Sequence, residues 1–244
     1  VSGGYAEHML LTSSLLLQIP NGLSAERAAL TEPRAVGRHA VEKAAGSLGG
    51  SCLVIGCGPV GLAVIAALKQ KGCGPIVASD FSPRRRELAE ILGADEVINP
   101  ADSSPYDSWR AISASAKKTI DKSSPHDGLR PKKGGIIFEC VGVPGVIEEI
   151  MTGAMRGTSV VVVGVCMQQD SFRPMVAIGK ELNLQFVLGY SAKEFRDTLR
   201  AIAEGELNVE NLITGKVGID GIAQAFNDLA DPELHAKVIV EPWR

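Results

Sequence analysis

The middle of the chain alternates short apolar runs with longer stretches of helical character. Cys52-Leu53-Val54-Ile55 is rich in β-branched residues and ends in glycines, and residues 60–71 are rich in Ala, Leu and Ile and stop at Gly72. Residues 76–80 predict a second strand. Ser82-Pro83 then predicts a helix start, a capping hydroxyl followed by Pro at the first helical position, with its end at Gly93. Residues 96–99 predict a third strand. The pattern resumes with a strand over 135–140, a helix over about 144–156, and strands over 159–163 and 184–188. These runs are apolar without alternation, so both faces of each strand must be covered, which is how a parallel sheet between two helical layers reads. The fold class is α/β, a doubly wound parallel sheet.

Elsewhere the pattern is less regular. Between Ser103-Ser104-Pro105 and Ser123-Ser124-Pro125, the residues Trp109, Ile112 and Ala116 fall at roughly helical spacing and predict a crossover helix. Residues 1–23 hold Gly3-Gly4, an apolar stretch over 15–17 and Ile19-Pro20, and predict strands and turns. Ser191-x-x-Glu194 is a capping box that opens a helix to about Glu204. A second helix follows near 220–229, and residues 236–240 close the chain as a strand.

Composition narrows the choice mainly by exclusion. The 244 residues make one large domain or one and a fraction, and 45% hydrophobic with 22% charged residues is the balance of a globular chain, not a disordered one. A formal net charge of −3 argues against a dedicated nucleic-acid binder, which needs a basic excess to meet phosphates. Five scattered cysteines without a C-x-x-C pair read as reduced thiols, not a disulfide framework or a cysteine zinc site. No apolar run is long enough for a membrane span and no signal peptide opens the chain, so the expectation is a cytoplasmic protein without a membrane partner. The start at Val1, without an initiator Met, raises the expectation of further sequence upstream.

One motif carries chemistry. Gly56-Cys57-Gly58-Pro59-Val60-Gly61 is G-x-G-x-x-G between a predicted strand and a predicted helix. Gly56 lets the chain turn tightly, Gly58 lets the backbone approach a pyrophosphate, and Gly61 lets helix and strand pack closely. The helix N-terminus, with Pro59 and Val60, then offers free N–H groups and the positive end of its dipole to phosphates. Asp80 closes the next strand, 19 residues after Gly61, where a carboxylate accepts hydrogen bonds from ribose hydroxyls. A carboxylate there repels a 2′-phosphate and favours NAD over NADP. Arg84, Arg85 and Arg86 follow closely enough to reach such a phosphate, and Arg85 joins the cofactor-binding set.

With these residues in place, the chain resembles the medium-chain zinc-dependent alcohol dehydrogenases, within them the polyol and threonine dehydrogenase branch. Gly3-Gly4-Tyr5-Ala6-Glu7 is similar to the family's G-G-[FY]-A-E segment. Ile19-Pro20 with Leu23-Ser24-x-Glu26-x-Ala28-Ala29-Leu30 resembles its approach to the cofactor domain, and Thr31-Glu32-Pro33 with His39-Ala40 resembles its E-P-L-x-V-x-x-H-A helix. The resemblance implies a split catalytic domain around a Rossmann-like nucleotide domain. Residues 1–33 would end the first catalytic piece, 34–187 would bind NAD, and 188–244 would return to the catalytic domain. The front of the family pattern, which carries most zinc ligands and the proton relay, has no counterpart in these residues.

The resemblance also implies roles. Glu32 would be an acidic ligand close to a catalytic zinc, and Arg34 stands where the family has an apolar residue near the substrate pocket. Val36 and Val60 would sit against the nicotinamide, with the backbones of Cys140-Val141-Gly142, Val163-Gly164-Val165 and Phe186-Val187-Leu188 at the carboxyl edge of the sheet. His39 reads as a structural helix histidine. No partner is evident for His8, His126 or His235, and Cys57 reads as inert. The implied activity is zinc-assisted, NAD-dependent oxidation of a small secondary alcohol or polyol to a ketone. A cofactor-binding remnant without catalysis and a zinc-independent enone or quinone reductase are the alternatives. The implied self-partner is a homo-dimer or tetramer joined edge to edge near residues 160–188, with residues 167–172 in the contact.

Overall fold

A computed structural model describes residues 3–20, 22–44, 50–118, 134–207 and 210–244. Six strands form one sheet: β1 (Cys52–Ile55), β2 (Ile76–Ser79), β3 (Glu96–Ile98), β4 (Ile136–Glu139), β5 (Ser159–Val162) and β6 (Asn183–Phe186). Every pairing is parallel and the order is β3-β2-β1-β4-β5-β6. That order reverses direction between β1 and β4, the switch point of a doubly wound sheet.

Helices cover both faces because alternate strand residues point to opposite sides. Cys52 and Val54 of β1, with Ile136 and Phe138 of β4, enter one core with Leu62, Ile65, Leu68 and Leu88. Leu53 and Ile137, the residues between them, enter the other core with Trp109, Ile150 and Met151. The short α1 (Ala25–Ala28) leads into the helices that roof the first core, α2 (Thr31–Lys43), α3 (Pro59–Gln70) and α4 (Pro83–Ile91), and the second core is covered by α5 (Pro105–Lys118) and α6 (Val146–Gly153). Each large side chain fully buried there contributes about 2–3 kcal/mol. No helix among the described residues is long and apolar enough to cross a membrane.

The second half adds α7 (Pro174–Lys180), α8 (Ala192–Ala203), α9 (Ile222–Asp228) and a small parallel pair, β7 (Ile213–Val217) and β8 (Lys237–Val240). Two elements here have no counterpart in the sequence reading. In β7 the run is broken by Gly215, which the structure needs because a Cβ there would lie 2.8 Å from His235. In α7 the helix is short, starts on Pro174 and ends at Glu181 in the left-handed region.

The amino-terminal expectation is corrected. Residues 3–20 contain no strand, only a single 3-10 turn at Ser13–Leu15, and Leu10 is 95% exposed. A strand exists through its partner's hydrogen bonds, and no described strand pairs with this segment. The segment meets the end of the chain through rings instead: Tyr5 packs edge-on against Phe226 and His8 against Trp243. The crossover helix is α5; Ser123-Ser124-Pro125 and His126 lie outside the described residues.

Two contacts fix α2. Gly37 faces α3 so closely that a Cβ would lie 2.4 Å from the backbone of Ala63. On its other side His39 Nδ1 lies 3.0 Å from both carboxylate oxygens of Glu194 in α8. Glu194 also completes the expected capping box, accepting the Ser191 N–H while its own N–H donates to Ser191 Oγ. His39 therefore has the structural role read from the sequence. Burial pushes the Glu194 pKa up, but the hydrogen bonds from Ser191 and His39 outweigh it and hold the group below the usual carboxylate range.

Gly37→Ala is expected to cost about 2–3 kcal/mol in urea unfolding, since backbone must shift to admit the methyl group. Because the folded-state pKa of Glu194 is depressed, its stabilisation is present above the unfolded value of 4.5 and is lost as pH falls through the lower folded value. Glu194→Gln is therefore expected to lower the melting temperature near neutral pH and to converge with the wild type in acid, checked by paired melts across pH.

Candidate functional site

The carboxyl ends of β1 and β4 are neighbours at the switch point, and the chain leaving β1 enters α3 through the glycine motif. Gly56 has φ +89°, and a Cβ on it would meet Val141 Cγ2 at 2.7 Å. Gly61, in the first turn of α3, would place a Cβ 1.9 Å from the Gly56 carbonyl oxygen. Both positions thus exclude any side chain. Gly58 differs: its φ of −66° suits any residue and a Cβ would meet no protein atom within 4 Å. It faces open space at the uncapped start of a 12-residue helix, whose first N–H groups have no intrahelical acceptor. This is a cradle for an anion, with Pro59 and Val60 at its helical rim.

Asp80 closes the cradle from β2. One carboxylate oxygen accepts the Cys57 N–H at 2.7 Å and the other the Ser82 N–H at 2.9 Å. The Cys57 thiol is fully buried and donates to the Ser79 carbonyl, and burial pushes its pKa well up, consistent with an inert group. The three arginines divide. Arg84 pairs with Glu87, and its N–H donates to Glu233. Arg86 donates to the carbonyls of Asp80 and Phe81 at 2.8 and 2.7 Å. Arg85 turns to the cleft, with Nη1 3.9 Å from Asp80 and its buried Nε without a partner.

The cleft between these parts has a volume of about 340 Å³ and is lined by Gly56, Asp80, Arg85, Pro100, Val141 and Val146, among others. Of the residues singled out in the sequence, it brings together Gly56, Asp80, Arg85 and Val141. The others lie outside it. Cys140 and Val163 are buried just beyond β4 and β5, with burial holding the Cys140 thiol well above its ordinary pKa. Val36 and Val60 are half-buried against the first core. Val165 is exposed, as are Phe186 and Leu188 on the free edge of the sheet. Sequence reasoning missed Glu139, a buried carboxylate that ends β4 and accepts the Val141 and Gly142 N–H groups. Its signal was a lone acidic residue inside an apolar strand.

Glu32 is exposed in the first turn of α2. Among the described residues no three His, Cys, Asp or Glu side chains come together as a metal site, so these residues do not by themselves fit a zinc centre. Arg34, two residues on and about 200° around the helix, is buried towards α3 beside Ala63, Ala67 and Thr198. Burial lowers its pKa to about 10.

The family model described as zinc-binding dehydrogenase matches residues 59–204. The (R,R)-butanediol dehydrogenase of Saccharomyces cerevisiae is 32% identical, the match covering 99% of this chain and 61% of the relative. Sorbitol dehydrogenase 1 of the same yeast is 28% identical over 93% of this chain and 61% of its own length. The crystal structure of galactitol-1-phosphate dehydrogenase from Escherichia coli superposes with a TM-score of 0.78 at 25% identity, over 98% of this chain and 67% of that one. The chain thus spans 61% of the length of these two curated relatives.

Asp80→Asn keeps the shape but turns one acceptor into a donor facing a backbone N–H. The expected cost is about 1–3 kcal/mol in urea unfolding without any nucleotide.

Proposed function

The chain belongs to the zinc-binding dehydrogenase family, and on that footing we propose that it is the cofactor-binding part of an NAD-dependent dehydrogenase acting on a small secondary alcohol or polyol. The observation that carries the reading is the paired arrangement at the switch point: an open glycine at the start of α3, with the Asp80 carboxylate bonded to the N–H of Cys57 immediately before it. The first N–H groups of α3 take the pyrophosphate, and Gly58 leaves room for it. Asp80 takes the ribose hydroxyls with the lone pairs not used by Cys57 and Ser82. Arg85 lies beside the same carboxylate and Val141 forms an apolar wall. When bound, the nicotinamide supplies the hydride acceptor. The substrate class follows from the butanediol and sorbitol dehydrogenases that the chain resembles.

Asp80 sets NAD above NADP. Its charge opposes a 2′-phosphate, and Arg84 and Arg86 are engaged elsewhere. On this reading Val36, Val60, Cys140, Val163, Val165, Phe186 and Leu188 belong to the nicotinamide side, and Glu32 to a zinc site whose other ligands come from outside the described residues. Residues 34–187 form the nucleotide domain, while 1–33 and 188–244 belong to the catalytic domain, in keeping with the ring contacts between the two ends. The exposed apolar residues Met167, Phe186 and Leu188 beside edge strand β6 suit a second copy of the chain. Five free cysteines suit a reducing cytoplasm.

Calorimetric titration of the chain with NAD+ and NADP+ tests the core of this reading. NAD+ is expected to bind, with NADP+ about tenfold weaker or worse, the effect of roughly 1.4 kcal/mol of like-charge repulsion. Absence of NAD+ binding at millimolar concentration sinks it. Cofactor reduction with butanediol or sorbitol in the presence of zinc tests the dehydrogenase step; binding without turnover favours the non-catalytic reading for this chain.

A further inference from the structure

The two acidic residues in the first turn of α6 have different surroundings. Glu148 is taken up by Arg173, accepting its backbone N–H at 2.9 Å and its Nε–H at 2.5 Å. Glu149, about 100° further around the helix, lines the cleft that also holds Asp80. Among the described residues no basic side chain pairs with it. Arg85, which lines the same cleft, lies 3.9 Å from Asp80 instead. The helix that carries Glu149 is seated on α5: a Cβ on Gly153 would lie 2.5 Å from the Tyr106 ring. Burial, and after it the charge of Glu149, raises the Tyr106 pKa, which agrees with a carboxylate near the start of α5.

The rest of the lining is largely apolar. Val146 lies one turn before Glu149 on the same helix face, and Val141, Val143, Pro100 and Pro105 join it in the wall. With the pyrophosphate at the start of α3 and the ribose on Asp80, the base of the dinucleotide falls in this remaining part of the cleft. Apolar walls suit the faces of any purine, so only the ring edge can be told apart. Adenine presents an exocyclic amine, a donor, where hypoxanthine and guanine present a carbonyl oxygen. An ionised carboxylate can only accept.

We propose that Glu149 reads the edge of the base: its carboxylate accepts the exocyclic amine of adenine and opposes a 6-oxo purine, so the cleft selects adenine dinucleotides. The inference rests on the NAD reading above and deepens it, from a dinucleotide cleft to one that identifies its base. The competing account of a first-turn carboxylate is stabilisation of the helix through its dipole. That role is indifferent to the base, and it is shared with Glu148.

Calorimetric titration with NAD+ and with its deamino analogue, which carries hypoxanthine in place of adenine, tests the proposal on wild type and variants. Wild type is expected to bind NAD+ about three- to tenfold tighter than the analogue, the effect of one exposed charge-assisted hydrogen bond. In Glu149→Ala the two affinities are expected to fall within about twofold of each other, through weaker NAD+ binding. Glu149 is exposed, so its truncation leaves the core intact. Glu148→Ala removes the neighbouring charge and is expected to keep the wild-type ratio. Equal affinities in wild type overturn the proposal and leave the NAD reading in place. A ratio that survives Glu149→Ala does the same, as does one that Glu148→Ala lowers equally. Wild type that binds neither dinucleotide overturns the NAD reading itself, and this proposal with it.

Discussion

The close approach of α3 to the end of β1 is the constraint on which the rest depends. With no side chain on Gly61, the helix starts against the Gly56 carbonyl, and with φ +89° at Gly56 the chain can make that turn. Any Cβ at either position would push the helix start away from the switch point. The first N–H groups of α3 would then no longer point at the space left open by Gly58. Helix position, turn conformation and anion cradle are thus one steric condition, met by three glycines that do different work.

Asp80 extends that condition across the sheet. Its carboxylate ties the N–H of Cys57, inside the glycine turn, to the N–H of Ser82, at the start of α4. Ser82 itself caps α4 by accepting the Arg85 N–H, which sets the rotation of that helix and hence the direction of each arginine. Consecutive helical residues point about 100° apart, so only one of the three can face the cleft. Arg86 is spent on the carbonyls of Asp80 and Phe81 and holds the turn from below.

The legible and illegible parts of this molecule separate by the range of the interactions that define them. β1, β2, β4 and β5 could be read because a strand buried on both faces needs an apolar run, and 52–55, 76–78, 136–138 and 160–162 supply one. The glycine motif and Asp80 could be read because their spacing is local. β7 was hidden by Gly215, whose need appears only when His235 packs against it. The amino-terminal residues were over-read because apolar residues without a paired edge do not make a strand. Glu139 was passed over because its donors are backbone N–H groups of its own following turn, at Val141 and Gly142, and no sequence pattern marks a backbone N–H as needing a carboxylate. The phase of α4, and so the choice of Arg85 over its neighbours, was likewise beyond reach.

The two chemical halves implied by the family are unequally represented, yet they are mechanically joined. The cofactor half is built from strands and helices that all lie within the described chain. On the proposed reading the metal half would be represented by Glu32, on the first turn of α2. That helix is seated on α3 through Gly37 and Ala63, and on α8 through His39 and Glu194. Glu32 is therefore positioned relative to the start of α3 by close helix packing, not by a flexible linker. Packed interiors resist displacement at the level of a methyl group. A change at the α2–α3 seam would thus move the Glu32 carboxylate and the start of α3 relative to each other without touching either of them.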